Sequence, residues 1–129
     1  MKYISAREVL LHLQELFGEH SRTAKYEISK QLFRAKMKEG EHVGAQVNSM
    51  IRSMEELESI DFNMDFHLQV DLILQSLPES FGKTIANFHM NKIECTLVEL
   101  LNMLVTAQKA IQRSKRKEVA LIEIGRAHV

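Results

Sequence analysis

The chain has 129 residues, 45% of them hydrophobic, which is enough for one domain with a sizeable core and too short for more than two. Seventeen Lys and Arg balance seventeen Asp and Glu; zero net charge argues against the whole domain being a nucleic-acid binder and leaves little repulsion to oppose self-association. The single cysteine, Cys95, excludes an internal disulfide framework and a multi-cysteine zinc site, and the longest aliphatic stretch, Val119 to Ile122, falls far below the roughly 20 residues of a membrane span.

The elements come in helical order. From about Ser5 to Phe17, Val9, Leu10, Leu13, Leu16 and Phe17 recur at helical spacing behind a Ser5-x-x-Glu8 capping box, and Gly18 reads as the stop. A second segment, about Thr23 to Lys38, carries Tyr26, Ile28, Leu32, Phe33, Ala35 and Met37 and ends at Gly40. The third, about Val43 to Ile60, places Val43, Val47, Met50, Ile51, Met54 and Leu57 on one stripe. The fourth, about Asp65 to Leu77, has Phe66, Val70, Ile73, Leu74 and Leu77 at core spacing, and Pro78 stops it. A shorter segment from about Glu79 to Asn91 shows Phe81, Ile85 and Phe88 on one face. The last helix opens on a second capping box, Thr96-x-x-Glu99, and is expected to run to about Ser114. No alternating strand pair is present in the pattern, so the expected fold class is all-α.

Beyond that helix the chain changes character. Arg113, Lys115, Arg116 and Lys117 form a basic run, and two roles stand level for it: nucleic-acid contact, or favourable charge at a helix C-terminus. The ending Ile124-Gly125-Arg126-Ala127-His128-Val129 back-translates in one frame into a common sequencing-library adapter, and is expected to be non-native. The sequence thus divides into a helical domain, residues 1–112, and a basic linker with that tail, residues 113–129.

Catalytic and metal chemistry finds no pattern to rest on. None of the six histidines forms an H-x-x-x-H pair or stands at zinc spacing from Cys95. Gly18-Glu19-His20 recurs as Gly40-Glu41-His42, but each glycine follows an expected helix end. Asp61, Asn63 and Asp65 open like a calcium loop, which fails at Phe66 and Leu72 where glycine and glutamate are needed; helix capping is the better role. There is no nucleophile elbow and no glycine-rich phosphate loop. The expectation is a non-enzyme with no cofactor, no metal and no small-molecule substrate.

Three blocks carry a resemblance. They are Leu16-Phe17-Gly18-Glu19-His20-Ser21-Arg22-Thr23-Ala24-Lys25-Tyr26-Glu27-Ile28-Ser29-Lys30, continuing into L-F-R-A-K-M-K-E-G from Leu32 to Gly40; Val70-Asp71-Leu72-Ile73-Leu74-Gln75-Ser76-Leu77-Pro78-Glu79-Ser80-Phe81; and T-L-V-E-L-L-N-M-L from Thr96 to Leu104. In this order they resemble the Gag region of plant copia-type LTR retrotransposons, over roughly Ile4 to Gln112. The resemblance implies a compact, capsid-like bundle of about five to six short helices that multimerises in the cytoplasm into a shell around element RNA. It departs from the family at Leu10, where a tryptophan is usual, and implies that one or more upstream helices are missing. A cysteine- and histidine-rich zinc knuckle, the family's main RNA contact, would follow downstream and is not in this chain. The alternative reading is a host-retained Gag-derived helical adaptor for other proteins; flanking terminal repeats would mark the element and an isolated gene with introns the adaptor.

Overall fold

A helix that starts on a serine cap needs a reason to end, and Gly18 is not one. The computed structural model describes residues 5–127, the side chains of 123–127 excepted. In it the first two expected segments are one helix, α1 (Ala6–Arg34), about 43 Å long at 1.5 Å per residue. Ser5 Oγ accepts from Glu8 N–H at 3.1 Å, as the capping box requires. Gly18 stays helical because a terminating glycine must turn left-handed, and an interior one costs only about 1 kcal/mol relative to alanine. The helix ends at Ala35, earlier than the expected Lys38, because the chain extends there to cap another element. Met37 N–H donates to the Ser76 carbonyl at 2.7 Å and Lys36 Nζ donates to the Gln75 carbonyl at 2.9 Å.

Gly40 then turns the chain with φ +89°, a conformation that favours glycine. The α2 helix (Val43–Ser59) buries Val43, Val47, Met50, Met54 and Leu57, with Ile51 at the margin. The residue before it, His42, gives no side-chain cap. The cap comes from far along the chain: Gln108 Oε1 accepts from Val43 N–H at 3.1 Å, and Gln108 Nε2 donates to the Glu41 carbonyl at 2.6 Å.

The α3 helix (Phe66–Gln75) is capped by Asp65, whose carboxylate accepts from Leu68 N–H at 3.2 Å. Val70, Ile73 and Leu74 are buried as their spacing suggests, and Leu72 joins them, whereas Phe66 is exposed and Leu77 only partly covered. After Pro78 a single 3-10 turn, Glu79–Phe81, inserts the fully buried Phe81, and α4 (Gly82–Met90) follows, with Ile85 and Phe88 packed on the core. The last helix, α5 (Leu97–Ala127), closes both halves of its capping box: Glu99 N–H donates to Thr96 Oγ1 at 3.1 Å, and Thr96 N–H to Glu99 Oε1 at 3.4 Å. It runs past the expected end at Ser114. Of the expected non-native ending, Ile124 to Ala127 are the last backbone turn of α5, and His128 and Val129 lie outside the described residues.

Five α-helices therefore make an all-α bundle with no strand among the described residues, and two of the five are long, not short. The core gathers α2, α3, Phe81 and the first half of α5 (Leu100, Leu104), with Leu32 and Met37 joining from α1 and the turn after it. Burying each Leu or Phe contributes roughly 1.5–3 kcal/mol, which is why these stripes face inward. The C-terminal half of α1 packs on α2, and Lys25 Nζ sits 4.2 Å from the Phe62 ring centroid. Ile111 is the last α5 residue packed against the core. Among the described residues, the first half of α1 and the part of α5 beyond Ile111 contribute no side chain to this core.

Candidate functional site

Three surfaces were open to chemistry: a cleft, an apolar ridge and a basic helix face. The cleft lies between α3, α4 and the turn before α5, with a volume of about 410 Å³, and brings His67, Asp71, His89, Glu94 and Cys95 to one place. No hydrogen bond joins any of these five side chains to another, so no nucleophile is paired with a base. Burial pushes the Cys95 thiol up from its ordinary pKa and the Glu99 carboxylate adds to the shift, the direction that disarms a thiolate. Among the described residues no group of three or more His, Cys, Asp or Glu is placed to hold a metal ion. The repeated Gly-Glu-His triplets do not form twin sites either: Gly18 to His20 are helical, and Gly40 lies in a left-handed turn. Asp65 is a helix cap and Asp61, at φ +64°, forms part of the preceding turn.

The ridge is the first half of α1. Val9, Leu10, Leu13, Leu16 and Phe17, which recur at helical spacing in the sequence, stand 44% to 68% exposed. At about 100° per residue these five share one face of the helix, with Leu11 on the other. An apolar stripe this continuous is uncommon on a monomer's surface.

The basic run of the tail is helical, so its residues do not all share a face. Arg113, Lys115, Arg116 and Lys117 are all exposed on α5. Lys115 turns toward the bundle, its Nζ 3.8 Å from Glu39 Oε2, the one ion pair among the described residues. Glu39 is itself held by Ser80, whose N–H donates to Oε1 at 3.0 Å; hydrogen bonding to Ser80 first, and the Lys115 charge after it, lower the Glu39 pKa. Arg113, Arg116 and Lys117 point away from the core, and Lys109, one turn earlier, lies on their side. The signal for Lys109 was in the sequence as the spacing i, i+4, i+7, i+8, which a search for consecutive charges passes over.

No helix among the described residues is long and apolar enough to cross a membrane. Neither a curated protein nor a solved structure matches this chain. The model of one family does, the gag-polypeptide of LTR copia-type, over residues 1–119. That span takes in every element of the bundle and all but the last turns of α5, together with the three motif blocks that carry the resemblance. This helical chain, with an exposed ridge and no assembled reactive centre among its described residues, belongs to the copia-type LTR Gag family.

Proposed function

We propose that this chain is a structural Gag unit that associates with copies of itself, in the cytoplasm, into a particle packaging element RNA. Membership in the Gag family supports the class of function, and the uncovered α1 ridge is the observation that supports self-association. The end of core packing at Ile111 favours a folded unit of residues 1–112, with residues 113–129 as its extension.

The ridge side chains are about half exposed, so covering five on each of two copies gains on the order of 10 kcal/mol, at roughly half the full burial value apiece. Association costs about 4–15 kcal/mol in lost freedom, so a single ridge contact is weak and reversible. Weak contacts repeated by symmetry suit a shell that must build and later come apart.

Sedimentation velocity over a concentration series tests the reading. Wild-type chain should pass from monomer to discrete larger species as concentration rises, and Leu13→Glu with Phe17→Glu should hold it monomeric at unchanged helicity. A wild-type chain that stays monomeric throughout would remove self-association from the account.

A further inference from the structure

Rotation along α5 sorts its charges. At about 100° per residue, Lys109, Arg113, Arg116 and Lys117 fall within a sector about 100° wide, opposite the sector of the buried Leu100 and Leu104 and the packed Ile111. All four side chains are exposed, and none makes an ion pair among the described residues. No acidic residue interrupts the sector from Asn102 to Lys117; Asn102 and Thr106 extend it toward the helix start. Lys115 is on the other side, turned to Glu39.

We infer that Lys109, Arg113, Arg116 and Lys117 form a single phosphate-binding face for single-stranded RNA, from which Lys115 is excluded. The inference rests on the particle reading only for the kind of polyanion, since the charge arrangement stands without it. Four cations along about 12 Å of helix make a straight row, and a flexible strand can lay consecutive phosphates along it. A duplex is a poorer match, because the deep, narrow major groove of A-form RNA does not admit a helix. The face has no aromatic side chain to stack on bases, so contact is with the backbone and carries little sequence preference. An anionic membrane fits less well. An interfacial helix must sink an apolar face opposite its charges; over Leu97 to Ile111 that face is spent on the core, and beyond it the exposed Val119, Leu121 and Ile122 are interrupted by Lys115 and Glu118.

The test is fluorescence anisotropy of a labelled oligouridylate titrated with the full chain at several salt concentrations. Four phosphate contacts on a single strand give a slope of log affinity against log salt near −2.8, so affinity falls about 50-fold between roughly 50 and 200 mM. Arg113→Gln, Arg116→Gln and Lys117→Gln should each shallow the slope by about 0.7 and the triple variant should leave about −0.7. Lys109→Gln should behave as they do. Lys115→Gln should change neither slope nor affinity, and that contrast separates an ordered face from mere net charge. Equal loss in Lys115→Gln and Arg113→Gln overturns the inference. So does a wild-type chain that binds anionic vesicles but not RNA, or that binds RNA without salt dependence. Sedimentation of the same variants keeps the two ideas apart: lost RNA binding with intact self-association faults only this face.

Discussion

Replacing Gln108 with alanine should loosen a helix that begins 65 residues earlier. The side chain supplies the cap that His42 does not, accepting from Val43 N–H and donating to the Glu41 carbonyl. A hydrogen bond of this kind contributes about 0.5–1.5 kcal/mol net. The Glu41 carbonyl is exposed and finds water when the amide is removed, so its share is small; Val43 N–H is partly buried and its loss counts in full. The expected cost is about 1–2 kcal/mol, in line with the loss of an ordinary N-cap. For a chain of this size that lowers Tm by about 3–10 °C. Urea and thermal unfolding followed by far-ultraviolet circular dichroism would read it. Gln112→Ala, one turn further along α5 on an exposed residue without a bond, is the control and should stay within about 0.5 kcal/mol of wild type. Equal stability of the two variants would refute the capping argument.

Leu104→Ala, at a side chain 1% exposed, should cost about 2–5 kcal/mol by chemical denaturation, enough to leave a marginal domain partly unfolded. Gly18→Ala should stabilise the chain by about 0.5–1 kcal/mol, because the site is helical and a Cβ there meets nothing within 4 Å; a loss would show that α1 breaks at Gly18. The Glu39 carboxyl has a folded pKa below its ordinary 4.5, so its contribution to stability is present above that value and is lost as pH falls through the depressed one. Glu39→Gln should therefore flatten the acid limb of the stability profile, and an unchanged limb would show that the Ser80 contacts do not hold the carboxylate.

Helix periodicity was legible wherever an element buries one face. The α2 stripe gives its five buried residues directly, and both α5 cap bonds follow from Thr96 and Glu99. Periodicity misplaced the ends of elements where tertiary contacts decide them. The chain leaves α1 at Ala35 so that Lys36 and Met37 reach the end of α3, and no local signal announces that. Gly18 reads as a stop because glycine is common past helix ends, yet the same residue is tolerated inside one. Leu72 escaped the core reading because α3 is buried on more than one side. At the basic tail, adjacency in sequence grouped Lys115 with its neighbours, while rotation along a helix separates them and brings in Lys109. The cap from Gln108 was not legible at all, since a contact across 65 residues has no signature in either segment.

Electron microscopy of the full chain, concentrated together with RNA, bears most directly on the claim that this molecule is a building unit. Curved sheets or closed shells of uniform spacing, absent from the Leu13→Glu, Phe17→Glu variant, are the predicted images. Dispersed single molecules, or amorphous clumps that form equally with and without the ridge, would contradict it.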